Sequence, residues 1–266
     1  MIGWGHSTFK LIRTLYPGLP LSTYSASHWS KRTMSIDIGG MRKPYLDQSA
    51  TFDTTDLVAQ EPWGQFQAWF DQAKACSAIE EANAMCLATA SKSGVPSARM
   101  VLLKAFGPEG FVFYTNYESR KAKDLSENPQ AALTFYWEPL KRSIRVEGSV
   151  AKVSEATSTE YFRTRPLGSQ IGAAVSHQSR VIAGRQELEN REAQLKAEFG
   201  DGSKVLDKPE AWGGFLVTPV SMEFWQGQST RLHDRIRFRR PAPDEKPDPS
   251  ITHIGTDGWV YERLAP

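Results

Sequence analysis

The sequence predicts a mainly β fold with helices, of the α+β class: one closed antiparallel barrel decorated by helices, in preference to two independent domains. Short extended segments follow one another at close spacing, with turn residues such as Ser91–Gly94 and Gly107–Gly110 between them. Strand character then returns after a helical interruption, so both halves of the chain contribute to one sheet.

Residues 1–36 carry Lys10, Arg13, Lys31 and Arg32 with no Asp or Glu, and are rich in Ser and Thr. That composition is shared by transit peptides and by simple disordered extensions. Residues 1–40 are therefore set apart from a domain spanning 41–266, with a cytoplasmic location expected and mitochondrial targeting by residues 1–36 left open. Pro62 precedes Trp63, Phe66, Trp69, Phe70 and Ala73, the spacing of an amphipathic helix with proline in its first turn.

Strands are expected at Ala84–Ala90, Ser97–Lys104, Phe111–Thr115, Ala131–Trp137 and Ser143–Val153, with a short helix starting near Ser119 and ending before Pro129. Ser154 is placed to cap a helix carrying Tyr161 and Phe162, and Gln186–Phe199 reads as a charged helix with Leu188, Leu195 and Phe199 on one side. Further strands are expected at Gly213–Thr218, Ser221–Gln226, Arg231–Arg239 and Trp259–Arg263, with Pro241–Pro249 as a surface loop.

Composition narrows the function classes. No apolar run approaches the roughly 20 residues that span a bilayer, so no membrane association is expected. A formal net charge of +2 removes the default case for diffuse nucleic-acid binding. Cys76 and Cys86 lack C-x-x-C spacing and read as reduced thiols. The sequence contains no G-x-G-x-x-G, no P-loop and no G-x-S-x-G, and its five histidines show no metal-ligand spacing.

Cations at element ends are the remaining signal. Arg99 and Lys104 bracket apolar Met100–Leu103, which a solvated strand end would also explain. Arg120, Lys121 and Lys123 crowd a helix start against its dipole, an arrangement relieved by a bound anion but also tolerated on a surface helix. In an extended chain Arg235, Arg237 and Arg239 share one face opposite Ile236 and Phe238, as any half-buried strand would arrange them. Arg231, His233 and Asp234 beside an exposed Trp225 add the donors and planar surface that a flat anionic ligand needs. Tyr161, Arg165 and Ser169 have i, i+4, i+8 spacing, with Pro166 against a continuous helix.

The stretches EANAMCL (81–87), SARMVLLK (97–104), FYTNYESRK (113–121), FYWEP (135–139), SQIGAAVSHQS (169–179), EFWQGQ (223–228), RLHDR (231–235) and the terminal ERLAP (262–266) resemble the pyridoxine/pyridoxamine 5′-phosphate oxidase family, in that family's order. The resemblance runs from about Met41 to Pro266. It implies an FMN-binding split β-barrel, a homodimer with two FMN sites at the subunit interface, and small-molecule substrates in vitamin B6 salvage.

By motif match it assigns Arg99, Met100, Val101 and Leu102 to FMN, together with Tyr114, Thr115, Ser119, Arg120 and Lys121. Ser143, Gln178, Ser179, Trp225 and Arg235 complete the implied cofactor site. Lys104, Tyr161, Arg165 and Ser169 match the grip on the substrate phosphate. Arg231, Leu232 and His233 match the substrate-ring contacts, with Arg231 and His233 the implied catalytic pair, and Arg42 and Tyr45 resemble a segment that covers the site. The implied reaction moves a hydride equivalent from substrate C4′ to flavin N5, with O2 as final acceptor and hydrogen peroxide as product.

One position departs from the family. Ser143 stands where it usually has glutamine, which implies one hydrogen bond fewer to the flavin, worth about 0.5–1.5 kcal/mol. Two other classes compete with the oxidase: a split-barrel protein that carries FMN or pyridoxal phosphate without turnover, and a basic-strand nucleic-acid module.

Overall fold

Residues 51–266 are described by the structure, a computed structural model. The expected extension at residues 1–40, with its transit reading, and Arg42 and Tyr45 lie outside the described residues.

Helix α1 spans Pro62–Ala75, and the Glu61 carboxylate caps it by accepting the Trp63 and Gly64 amides. Its stripe does what the spacing predicts: Phe66, Trp69 and Ala73 are buried. The Phe66 ring meets Phe70, Phe106, Phe111 and Phe135 at centroid separations of 4.7–5.6 Å, so this helix is fastened to the sheet through the aromatic core. Truncating a buried phenylalanine of this kind costs about 3–5 kcal/mol.

Ten strands follow in chain order: β1 Ala84–Ala90, β2 Pro96–Leu102, β3 Ala105–Gly107, β4 Gly110–Asn116, β5 Gln130–Trp137, β6 Arg142–Lys152, β7 Trp212–Gln226, β8 Asp234–Arg239, β9 Thr252–Ile254 and β10 Val260–Arg263. All of their pairings are antiparallel, in the order β2-β1-β5-β6-β7-β8-β10-β9, with β4 joined to both β3 and β7. Between them lie helices α2 Arg120–Glu127, α3 Glu155–Thr164, α4 Leu167–Val175 and α5 Arg185–Phe199.

Two expected strands are one. Gly213–Thr218 and Ser221–Gln226 belong to the single 15-residue β7, which crosses Pro219 at a register shift opposite Glu147 and Gly148. The bulge is possible because residue 148 is glycine: a Cβ there would stand 2.1 Å from the Thr218 carbonyl oxygen. Strand β6 pairs with residues 215–226 of β7, while the opposite edge of β7 is shared, β4 pairing with residues 212–217 and β8 with residues 221–226.

The expected closed barrel is not formed, because the sheet leaves β2 and β4 unpaired with each other. Lys104 N–H donates to the Val112 carbonyl at 2.8 Å, and beyond that contact residues 99–102 and 114–116 line opposite walls of a cavity. The gap in the sheet is where side chains from both edges converge.

Two cores result. The larger lies under α1 and the strands; the smaller packs Phe162, Ile171 and Val175 of α3 and α4 against Leu206 and Trp212. Partly buried Leu188, Leu195 and Phe199 of α5 join the smaller one, as their shared side predicts. Cys76 and Cys86 are free.

Candidate active site

Between β2 and β4 lies a cavity of about 620 Å³, within the range of ligand-binding clefts. From the expected residues, Arg99, Met100, Val101, Leu102 and Lys104 form one wall, and Tyr114, Thr115 and Lys121 another. Tyr161, Arg165, Ser169 and Gln178 close it from the helical side.

Arg99 is held from three directions. Its guanidinium donates to the Leu87 carbonyl at 3.2 Å, Thr89 Oγ1 at 2.7 Å and Ser97 Oγ at 2.7 Å, with Asp124 at 3.9 Å. Lys121 is buried, and its Nζ donates to Gln178 Oε1 at 2.6 Å and Thr115 Oγ1 at 3.1 Å, with Ser119 Oγ at 3.4 Å. Among the described residues no carboxylate pairs with this ammonium. Burial, then the neighbouring Arg99 charge, pushes its pKa down to about 8.

Ser119 is the N-cap of α2 but makes no capping bond with its side chain, so the first-turn amides of that helix lack this usual partner. Ser179 has φ 74, a left-handed conformation, and its hydroxyl accepts the Arg120 amide at 3.2 Å. Ser119, Arg120 and Ser179 thus stand beside the cavity without lining it.

Tyr161, Arg165 and Ser169 do not share one helical face. Helix α3 ends at Thr164, Arg165 is extended, and Pro166 opens α4, since proline disfavours helix in the residue before it. The break turns all three toward one cavity. The Tyr161 ring stacks on Tyr114 at 4.1 Å, and the Arg165 guanidinium lies 4.8 Å over Trp212. Arg165 Nη1 is buried with no hydrogen-bond partner. Burial holds this guanidinium below its ordinary pKa, as it does Arg99.

Trp212 and Asn116 line the cavity and were missed by the sequence reading. The signal for Trp212 was present in an aromatic residue at the start of a glycine-rich strand, placed one residue too late. Asn116 stands inside the FYTNYESRK stretch but was given no role; its amide reaches the Ser176 carbonyl at 3.1 Å only through the fold.

The other expected residues stand elsewhere. Ser143, Trp225 and Arg235 are cross-strand neighbours in one row on β6, β7 and β8. Trp225 is half-buried, not exposed, because the His233 ring lies 4.9 Å from its own. The strand expected from Arg231 begins at Asp234; Arg231 has φ 72, so Arg231, Leu232 and His233 form a turn. None of Ser143, Trp225, Arg231, Leu232, His233 or Arg235 lines the 620 Å³ cavity. A smaller cavity of about 360 Å³ lies along the row, against Tyr136, Ser143 and Trp225.

This geometry has named relatives. The chain is 56% identical over 235 residues to pyridoxine/pyridoxamine 5′-phosphate oxidase of Bombyx mori, covering 88% of this chain and 91% of that one. The chain belongs to the pyridoxine/pyridoxamine 5′-phosphate oxidase family. Residues 71–197 match the family's pyridoxamine 5′-phosphate oxidase profile, and residues 212–266 match its pyridoxine 5′-phosphate oxidase C-terminal dimerisation region. Pyridoxine-5′-phosphate oxidase of Bos taurus is 51% identical, over 90% of this chain and 91% of its own. The solved structure of PhzG from Burkholderia lata, in complex with tetrahydrophenazine-1-carboxylic acid, superposes with a TM-score of 0.70 at 26% identity, covering 82% of this chain and 98% of that one.

The residues present fit the FMN of an oxidase in this family. A buried ammonium with no carboxylate beside it among the described residues and a buried guanidinium nitrogen without a partner are costly unless an anion meets them, and a phosphate meets such groups with acceptor oxygens.

Proposed function

We infer that this protein is an FMN-dependent oxidase that converts pyridoxamine 5′-phosphate and pyridoxine 5′-phosphate to pyridoxal 5′-phosphate, consuming O2 and releasing hydrogen peroxide, with water taken up and ammonia released when the substrate is the amine. The observation that carries this reading is the cationic cavity between β2 and β4, in a chain half identical to named oxidases along most of its length.

FMN, when bound, supplies the acceptor for the hydride equivalent that leaves substrate C4′. The protein's own work is binding and orientation. In this reading Arg99, Arg120 and Lys121 hold the cofactor phosphate, with Ser119 and Ser179 at the helix start. Met100, Val101, Leu102, Tyr114, Thr115 and Gln178 line the rest of the cofactor's bed. Lys104, Tyr161, Arg165 and Ser169 grip the substrate phosphate, with the Tyr161 ring stacked on Tyr114 of the cofactor's bed. Arg231, Leu232 and His233 flank the substrate ring, and Arg42 and Tyr45 cover it.

Homodimerisation completes the site in the same reading. Ser143, Trp225 and Arg235 carry flavin-directed roles yet lie outside the cavity of their own chain, so a second copy supplies them. Met100, Tyr136 and Leu232 support this with exposed apolar surface, and residues 212–266 match a dimerisation region. Among the described residues no helix is long and apolar enough to cross a membrane.

The test is direct. Purified protein incubated with FMN should show a flavin absorption band, and pyridoxamine 5′-phosphate added in air should yield pyridoxal 5′-phosphate and peroxide in equal amounts. A preparation that stays colourless with excess FMN overturns the reading; one that binds FMN without peroxide favours a carrier. Arg231→Ala should impair turnover more than FMN binding.

A further inference from the structure

The Arg231–His233 turn is held by a network that none of its expected roles requires. Asp234 is buried, and its Oδ2 accepts the Phe52 amide at 3.0 Å and the Gln228 side-chain amide at 2.7 Å. Its Oδ1 takes both terminal nitrogens of Arg263, at 2.9 and 3.0 Å. One carboxylate thereby joins the start of β8, the C-terminal strand, the chain entering at Phe52 and the 227–233 turn.

Gln228 carries the connection onward. Its carbonyl accepts the Arg231 amide at 3.2 Å, and its own amide donates to His233 Nδ1 at 2.9 Å. A backbone N–H can only donate, so Nδ1 must present its lone pair, and a neutral imidazole then carries its proton on Nε2. The ring is steadied on another side by Trp225, 4.9 Å away.

We propose that His233 meets the substrate as a neutral imidazole with its proton fixed on Nε2, a hydrogen-bond donor and not a general base, and that Gln228 and Asp234 are the positioning residues that fix it so. This rests on the oxidase reading above for the presence of substrate beside His233. Protonation would place an N–H at Nδ1 against the Gln228 N–H, so the two donors would part and the turn would lose its lock. Burial and the charge of Arg231 disfavour protonation as well, with Asp234 opposing them.

Magnitudes separate donor from base. A side chain that donates one hydrogen bond can be replaced by another donor for a loss below about tenfold, whereas removing a general base costs on the order of a hundredfold or more. Glutamine places an amide nitrogen where Nε2 stands; asparagine reaches only as far as Nδ1. His233→Gln should therefore keep kcat/KM for pyridoxamine 5′-phosphate within about tenfold of the parent. It should also lose any acid limb that His233 gives the pH profile, while His233→Asn falls well below it. A fall of about a hundredfold in His233→Gln, or equal losses in the two variants, overturns the donor assignment.

The nitrogen assignment is read independently by 15N NMR of ring-labelled histidine in the holoprotein at neutral pH, with His233 identified by its loss in His233→Gln. Nε2 should be protonated and Nδ1 bare; a proton on Nδ1 overturns the proposal even if the enzyme is active. Asp234→Asn should give a mixture of His233 tautomers. Unchanged nitrogen signals with only a lower Tm would reduce Asp234 to a structural role. A parent protein without oxidase activity would sink the functional reading alone, since the NMR result decides the tautomer by itself.

Discussion

Lys121 and Arg165 of the central cavity and the arginines of the C-terminal strands are alike in charge and opposite in company. On β8 and β10 each arginine has its carboxylate. Arg235 donates to Glu223 at 2.7 Å, Arg237 to Glu262 at 2.6 Å, Arg239 to both Glu262 and Glu245, and Arg263 to Asp234. In the cavity Lys121 is buried and Arg165 half-buried and, among the described residues, neither forms an ion pair. A buried cation with a carboxylate is part of the fold. A buried cation without one costs stability and is kept where a ligand supplies the missing charge.

That contrast can be broken from either side. Lys121→Met should lower FMN affinity by about tenfold to a hundredfold, the worth of one charge-assisted hydrogen bond. It should leave the Tm of the apoprotein unchanged or higher, because an uncompensated charge has been removed. Fluorescence titration and thermal melts report the two numbers separately, and a large drop in apoprotein Tm would class Lys121 with the structural cations.

Glu262→Gln is the mirror experiment. Its loss leaves Arg237 and Arg239 short of a partner and should cost about 2 kcal/mol, or about 4–8 °C in Tm for a chain of this size. FMN affinity should barely change. Although burial raises the Glu262 pKa, bonds from Arg239 and Arg237 outweigh it and hold the group at about 2. A depressed carboxylate contributes stability that is present above its unfolded pKa and lost as pH falls from about 4.5 toward 2. Glu262→Gln should flatten that acid limb.

The pH dependence of cofactor binding has the opposite direction. Lys121 has a folded pKa of about 8 against an ordinary lysine value of 10.5, so the apoprotein gains stability from this group as pH rises through that window. A bound phosphate favours the charged form, so FMN binding takes up a proton there. Affinity should fall as pH rises above about 8, by at most about tenfold per pH unit, and Lys121→Met should remove the dependence. The smallest effect expected is at Ser143: Ser143→Gln should tighten FMN by about 0.5–1.5 kcal/mol, a few-fold to tenfold, and unchanged binding would refute a flavin contact at that position.

The sequence carried the elements well where local chemistry decides them. The stripe on α1, the Ser154 cap of α3, which accepts the Thr157 amide, and the span of β1 follow from spacing and capping alone. It misread Pro219 as a strand break, because the register shift that admits a proline depends on Gly148 in a strand far away in sequence. It expected a closed barrel, because strand number and spacing are local while closure depends on whether β2 and β4 meet. Alternation on β8 was legible, with Ile236 and Phe238 buried, but not that Arg237 and Arg239 are paired to Glu262 and Glu245. Ion pairing between distant segments leaves no local trace.

By itself the sequence determined the buried stripe of α1, most of the strand segments, and which motifs resemble the oxidase family, since burial periodicity, capping and motif order are properties of neighbouring residues. Tertiary structure alone decided that the sheet stays open between β2 and β4, that Trp212 and Asn116 join the cavity there, and that the Gln228 amide orients His233. Each of these depends on where chain segments far apart in sequence come to rest, which no window of residues encodes.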